Sequence, residues 1–269
     1  MEQGWPGRVE QIMGMPIAID VRDPRVSPEV LDAAFAWLRL VDATFSTYRS
    51  DSVISKLNRG ELRRTDAPPD VRAVLDRCDE LRADTDGYFD VESAALAQWE
   101  RLGNVALRLG ALEPAGLVKG WAVDRAAALL EAAGVRCYCL NAGGDIRVRG
   151  RPAPEPHWRI GIQHPFERDK TAAVIRATDL AIATSGAYER GAHIVDPHTG
   201  RPPEGVLSVT VVGQDLATAD AYATAAYAMG RAGPAWTARL VARGYEALTI
   251  LSDETVLSTP AFPQAPMDA

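Results

Sequence analysis

Apolar residues follow two different spacings along this chain. Strict alternation predicts strands, the clearest at Gln11–Arg22, Arg136–Ile146, Trp158–Gln163, Leu207–Gly213 and Ala247–Leu251. Apolar residues three or four positions apart predict helices at Ser27–Leu40, Pro69–Ala83, Leu117–Ala133, Ala217–Gly230 and Pro234–Ala242. Helices and strands mix without regular alternation, which predicts an α+β fold: a single domain with mostly antiparallel sheets and flanking helices. Residues 256–269 are rich in proline and are expected to form a loose tail.

The composition narrows the range of functions. The chain has 269 residues, 47% of them hydrophobic, and a net charge of −7. It has no lysine-rich run, which argues against nucleic-acid binding. The N-terminal residues do not read as a signal peptide and no run of about 18 apolar residues occurs, so we expect no membrane anchor and a cytoplasmic location. Three cysteines without a CxxC pair are typical of a reducing compartment.

Two oxygen-bearing side chains are four residues apart in the alanine-rich helix. Asp220 and Thr224 therefore lie on one face, about one turn apart. A carboxylate and a hydroxyl are hard oxygen ligands of the kind that Mg²⁺ prefers, and apolar neighbours indicate that this face looks inward. No basic residue stands beside Asp220 in the sequence, so a cation would balance a buried charge there. The alternative is structural: Asp220 caps the helix, and Thr224 bonds back to the carbonyl four residues earlier.

Two loops that follow strands offer polar groups to a ligand. In NAGGD, which ends at Asp145, two glycines allow close backbone approach, and Asp145 can accept a hydrogen bond from a ribose or a ring N–H group. The alternative is a glycine turn closed by an Asx hydrogen bond. In ATSG, Ser185 and Gly186 fit a phosphate or flavin loop, although the spacing and the lysine of a P-loop are missing. An ordinary Ser/Thr turn fits that segment equally well.

Four further residues offer a charge or an aromatic surface. His193, three residues before Asp196, fits a general base or a phosphate partner, or else a structural histidine. Lys119 at the start of a helix favours an anion such as pyrophosphate, or else is a surface lysine. Tyr48 and Arg49 can stack on or clamp a nucleotide; alternatively, Tyr48 packs on the rim of the core.

The order of these motifs along the chain carries more information than any one of them. The segments run, in order, MGMP, FSTYRSDSVISKLNRG, DGYFDV, LVKGWAVDRAAALL, LNAGGDIRV, IATSGAYER, HIVDPHTG, SVTVVG and ATADAYATAAYAMG. In order and approximate spacing, residues 9–251 resemble the ApbE family of FAD:protein FMN transferases. The resemblance implies a single α+β domain over residues 1–255, related to a T-fold-like pair of sheets around the flavin. It also implies FAD as substrate, Mg²⁺ as the essential ion, and transfer of FMN to a Ser or Thr hydroxyl of an acceptor flavoprotein with release of AMP.

The resemblance also implies roles for individual residues. Asp220 and Thr224 would ligate the metal together with a backbone carbonyl near Gly116, and His193 would be the catalytic histidine. Contacts to FAD would come from Met13, Tyr48, Lys119, Asp145, Ser185 and Gly186. Such a set suits phosphoryl transfer, which needs charge neutralisation and positioning more than covalent chemistry. The same site with water as acceptor would make a metal-dependent FAD pyrophosphatase, and a site without turnover would make a non-catalytic flavin-binding protein.

The chain departs from the family pattern at four places. Met15 replaces a threonine, Glu113–Gly116 replaces a run that begins with Asp, and Glu92 or Ser93 stands where a flavin-contacting threonine is expected. The segment 89–119 is short. These departures concern the rim of the isoalloxazine pocket and the acceptor groove, whereas the residues of the metal site are kept.

Overall fold

The computed structural model describes residues 7–23, 26–92, 111–167, 169–186 and 194–265. Its strands are β1 (Gly7–Ile12), β2 (Met15–Val21), β3 (Tyr138–Ala142), β4 (Asp145–Arg149), β5 (Trp158–Gln163), β6 (Thr171–Ala177), β7 (Leu180–Gly186), β8 (Val206–Gly213), β9 (Glu246–Leu251) and β10 (Val256–Ser258). Its helices are α1 (Pro28–Phe45), α2 (Val53–Arg59), α3 (Pro69–Asp84), α4 (Ala115–Ala132), α5 (Leu216–Ala228) and α6 (Gly233–Thr237), with 3₁₀ turns at Arg64–Asp66, Gly230–Ala232 and Ala238–Arg243. None of the helices within these ranges combines the length and apolar character needed to cross a bilayer.

Eight of the described strands form one antiparallel sheet in the order β1-β2-β3-β4-β7-β8-β9-β10. Strands β5 and β6 pair with each other in a separate antiparallel sheet. Three neighbouring pairs in the large sheet, β1-β2, β3-β4 and β9-β10, are joined by short turns, as antiparallel pairing allows and parallel pairing does not. The combination of helices with antiparallel sheets confirms the predicted α+β class.

Two apolar clusters lie on the two faces of the large sheet. Successive side chains of a strand point to opposite faces, and accordingly Val211 and Val212 of β8 belong to different clusters. The larger cluster fills the space between the sheet and helices α1, α4 and α5. The smaller cluster is covered by β5 and β6. The helical side of the sheet therefore carries the larger core, on which the site described below is built.

Two segments predicted as single strands are hairpins. The Gln11–Arg22 pattern is divided between β1 and β2 by a turn at Met13 and Gly14, whose φ angles are 55° and 73°. The Arg136–Ile146 pattern is divided in the same way by Gly143 and Gly144, with φ angles of 57° and 96°. A two-residue turn of this kind needs positive φ at both positions, and it leaves the alternation of apolar residues nearly undisturbed. Periodicity alone therefore does not detect it.

The expectation of a loose tail at 256–269 does not hold for its described part. β10 pairs with β9 at the edge of the large sheet. Beyond it, the Ala265 N–H group donates to the Val174 carbonyl at 2.7 Å, and the Phe262 side chain is buried in the smaller cluster. Apolar side chains between the prolines pack on β6, which gives this segment the burial that its composition alone does not predict. Residues 266–269 lie outside the described residues.

Candidate active site

The end of α1, the start of α4, helix α5 and the end of β7 border a cavity of about 520 Å³. The sequence candidates that line it are Met13, Tyr48, Gly116, Lys119, Ser185, Gly186, Asp220 and Thr224. Asp145 lies behind this lining, in contact with Lys119. These residues come from distant parts of the chain, and the fold brings them together around one space.

Helix α5 presents Asp220 and Thr224 to the cavity. The N-cap of this helix is Asp215, whose side chain accepts from the Thr218 N–H group at 2.8 Å. The alternative in which Asp220 caps the helix is therefore wrong, because Asp220 lies one turn further in. Its side chain is buried, with the whole residue 3% exposed. One turn beyond it, the Thr224 hydroxyl lies 3.3 Å from the Ser185 hydroxyl at the end of β7.

Gly116 lies next to Thr224. A Cβ atom built on Gly116 would come 3.5 Å from Thr224 Oγ1 and 3.3 Å from the Phe89 ring. A side chain here would be in ordinary contact with Thr224 and slightly too close to Phe89, and glycine leaves the backbone of the first turn of α4 uncovered beside Thr224. The three residues expected at a metal site thus share one wall of the cavity, with a carboxylate and a hydroxyl from α5 and a backbone segment from α4.

Lys119 lies between two buried carboxylates. Its ammonium forms an ion pair with Asp145 and lies 3.8 Å from Asp220 Oδ2. Asp145 is 1% exposed, and its Oδ1 atom accepts from the Thr184 N–H group at 3.1 Å. No basic residue is near Asp220 in the sequence, but the fold brings this lysine to it from another helix. Part of the charge on Asp220 is already balanced within the protein, so a cation is not its sole counter-charge.

The cavity wall is acidic. Among the described residues that line it, the carboxylates of Asp42, Asp90, Glu113 and Asp220 stand against the single ammonium of Lys119. Within the described ranges, no three His, Cys, Asp or Glu side chains are grouped closely enough to hold a metal ion by themselves. An ion beside Asp220 would therefore also take oxygen atoms from hydroxyl groups, the backbone or water.

Glu113, for which no role was predicted, supports the start of α4. One carboxylate oxygen accepts from the Ala115 N–H group at 3.2 Å, and the other accepts from the Thr47 hydroxyl at 2.6 Å. The first N–H groups of a helix lack partners within it, so a carboxylate just before the first turn is a recognisable capping signal. The same carboxylate makes this helix start less favourable for a phosphate than the sequence analysis expected.

Two aromatic residues lie at the rim. Tyr48 is 76% exposed, which rules out the alternative in which it packs against the core. Tyr88 packs edge-to-face on the ring of His198, with 4.6 Å between the ring centroids, and His198 Nε2 lies 3.0 Å from the Asp86 carbonyl oxygen. These contacts join the turn before Phe89 to the turn after Asp196.

The remaining candidates have mixed outcomes. His193 lies outside the described residues, although its neighbours Ile194 and Val195 line the cavity. Ser93 also lies outside them. Met15, which departs from the family pattern, lies in the lining and is 7% exposed, so it contributes an apolar surface where the family has a hydroxyl.

The fold and the sequence point to the same class of protein. The ApbE protein of Thermotoga maritima has this fold, with a TM-score of 0.83 at 24% identity over 97% of this chain and 100% of that one. The flavin transferase ApbE from Vibrio cholerae gives a TM-score of 0.82 at 25% identity over 96% of this chain and 97% of that one. The sequence model of the ApbE family matches residues 13–110 and 103–249. The chain belongs to the ApbE family.

Two curated relatives carry the name FAD:protein FMN transferase. The one from Rhodobacter capsulatus is 35% identical over 242 residues, which cover 87% of this chain and 40% of the relative. The one from Vibrio cholerae is 40% identical over 124 residues, which cover 42% of this chain and 37% of the relative. The matched part of this chain thus spans about two fifths of the length of these relatives.

Proposed function

We propose that this protein is a Mg²⁺-dependent FAD:protein FMN transferase. It would move FMN from FAD to a Ser or Thr hydroxyl of an acceptor flavoprotein and release AMP. The observation that carries the proposal is the convergence of Asp220, Thr224 and Gly116 on one wall of a single cavity, in a chain of the ApbE family. The proposed reaction is taken from the names of the relatives, and the cavity is the proposed place where it occurs.

The charge of the cavity supports a requirement for a cation. The diphosphate of FAD is anionic, and the described lining is predominantly acidic, so the two would repel each other in a partly dehydrated space. Asp220 and Thr224, with the backbone near Gly116, offer the oxygen ligands that Mg²⁺ prefers. A bound Mg²⁺ would neutralise charge on the transferred phosphoryl group and on the departing AMP.

The remaining residues have roles in binding and orientation. Lys119 would stay paired with Asp145 while it contacts the phosphates, and Asp145 would hold it in place. Ser185 and Gly186 at the end of β7 would contact the flavin side of the substrate, and Met13 and Tyr48 would border the ring. The cavity has a volume within the range expected of a small-molecule site.

The reaction needs a bond exchange at one phosphorus atom. The acceptor hydroxyl oxygen would bond to the phosphorus of the FMN half, the bond to the bridging oxygen would break, and AMP would leave with that oxygen. His193 would take the proton of the attacking hydroxyl group. A positioned general base of this kind contributes about 10²–10⁴-fold to a rate.

The test compares the amounts of three products: FMN bound to protein, free FMN and AMP. FAD is added with Mg²⁺ and the purified protein to a lysate of the source organism, with an EDTA-treated sample as control. A transferase gives covalent FMN on a Ser or Thr of a protein band, identified by mass spectrometry, and an equal amount of AMP. Free FMN and AMP without labelled protein would replace the proposal with the pyrophosphatase. FAD that is bound but not consumed would replace it with the flavin-binding protein.

A further inference from the structure

The proposed metal-binding wall is divided between two helices. α4 contributes Gly116, and α5 contributes Asp220 and Thr224. The spacing of these groups therefore depends on how α5 is held against α4. The two helices pack closely: a Cβ atom built on Gly120 of α4 would come 2.5 Å from the Leu216 carbonyl oxygen at the start of α5.

Asp124, also on α4, holds the first residues of α5. Its Oδ2 atom accepts from the Leu216 N–H group at 2.8 Å and from the Ala217 N–H group at 3.0 Å. These are the first two N–H groups of the helix, which have no partner within it. Asp215 caps the third, on Thr218, from the same stretch of chain. Asp124 thus supplies the cap that comes from the opposing helix.

We infer that Asp124 is a positioning residue for the metal-binding wall. By fixing the start of α5 to α4, it sets where Asp220 and Thr224 stand relative to Gly116. The contact lies at one end of α5 and the presented oxygens follow within the next two turns, so a shift at the start of the helix is passed to them along a rigid element. The inference rests on the proposed function for its metal ion.

The geometry separates the position of the cap from its charge. Both hydrogen bonds end on one oxygen atom, Oδ2. Asp124→Asn keeps an oxygen that can accept both bonds and removes the charge. Asp124→Glu keeps the charge and moves the oxygen by one methylene. If Asp124 acts by position, Asp124→Asn keeps its function and Asp124→Glu loses it. If Asp124 acts only through its charge, Asp124→Glu keeps its function and Asp124→Asn loses it.

The experiment measures metal affinity and local order without turnover. Mn²⁺ binding is titrated to the wild type and to both variants, and exchange of the Leu216 and Ala217 amides is followed in the metal-free proteins. We expect Asp124→Glu to speed both exchanges and to weaken Mn²⁺ binding about tenfold, as loss of a residue that orients metal ligands typically does. The Mn²⁺ affinity of Asp124→Asn is expected to stay within about twofold of that of the wild type, because asparagine keeps the oxygen that accepts both hydrogen bonds of the cap.

A matched control tests whether a general loss of stability by itself weakens Mn²⁺ binding. Ile175→Ala opens a cavity in the smaller apolar cluster, away from α4 and α5, and lowers the melting temperature without touching the cap. It is expected to leave Mn²⁺ affinity unchanged. Equal Mn²⁺ affinity in Asp124→Glu and the wild type would overturn the inference alone, as would weak binding in Asp124→Asn. A wild type that binds no Mn²⁺ would overturn the proposed metal site and the inference together.

Discussion

The ammonium of Lys119 on α4 lies 3.8 Å from the carboxylate of Asp220 on α5. The same ammonium forms the ion pair with Asp145, so one positive charge interacts with two buried carboxylates. Buried charges are costly unless they are paired, and these three side chains together carry an excess of one negative charge. A divalent cation beside Asp220 would reverse that excess, which links the charge of the protein wall to the ion in the proposed reaction.

Removing this lysine should destabilise the metal-free protein. Lys119→Met leaves Asp145 and Asp220 without their shared partner. Breaking a buried ion pair costs about 3–5 kcal/mol, and the partial exposure of Lys119 favours the lower end. Mg²⁺ should recover part of the loss, because an ion that binds the folded state stabilises it by mass action. Thermal unfolding with and without Mg²⁺ measures both effects.

The control for this variant is Lys56→Met, which removes an exposed lysine from α2. It should change the melting temperature little and give no additional response to Mg²⁺. If Lys119→Met gains no more from Mg²⁺ than Lys56→Met does, the ion does not replace the charge of Lys119 beside Asp220.

The two proposed metal ligands on α5 should differ in importance. Asp220→Ala deletes the proposed charged ligand and is expected to abolish Mg²⁺-dependent AMP release. Thr224→Ala should be milder, because water can replace a neutral oxygen ligand. Chromatographic detection of AMP measures both, with the exposed Asp253→Ala as the control for a lost carboxylate. Full activity in Asp220→Ala would remove the metal assignment.

Local signals predicted most of the helices and strands, and the motif order singled out residues that the fold brings around one cavity. Which side chains contact one another across that cavity was not predictable. The helix predicted at Pro69–Ala83 ends one residue later in the structure. β6 was missed because its alanines weaken the alternation. The contact of Lys119 with Asp220 joins two helices far apart in sequence, so it depends on how the helices pack. No local pattern carries that information.

Gly120 should not tolerate a side chain. Its Cβ atom would meet the Leu216 carbonyl oxygen at 2.5 Å and the Ala217 nitrogen at 2.7 Å, and backbone atoms cannot turn aside. We expect Gly120→Ala to lower the free energy of unfolding by about 1–3 kcal/mol, as overpacking does, and to weaken Mn²⁺ binding. Urea denaturation measures the first effect. Gly161→Ala, where the added atom meets Thr171 at ordinary distances of 3.4–3.5 Å, is the control. Equal stability of the two variants would mean that α4 and α5 separate easily.

His193 should act in the chemistry more than in binding. His193→Ala is expected to retain FAD affinity and to transfer FMN about 10²–10⁴-fold more slowly, the usual cost of losing a general base. Quenching of tryptophan fluorescence by FAD gives the affinity, and AMP release gives the rate. His157→Ala is the control, since His157 Nδ1 contacts Thr178 on the loop between β6 and β7. Weaker FAD binding with an unchanged turnover number would make His193 a binding residue.

Asp124 should give the protein a measurable pH dependence. Burial raises the pKa of Asp124 to about 6, against the opposing effect of the Ala217 and Leu216 N–H groups and of Arg147, whereas the unfolded carboxyl keeps an ordinary value of 3.8. The folded state therefore binds the proton more tightly, and the stability that protonation gives is lost as the pH rises from about 4 to about 6. Asp124→Asn does not ionise. Its free energy of unfolding minus that of the wild type should therefore grow over this interval and level off above it, in urea denaturation at a series of pH values. A constant difference would show that the two N–H groups offset the effect of burial.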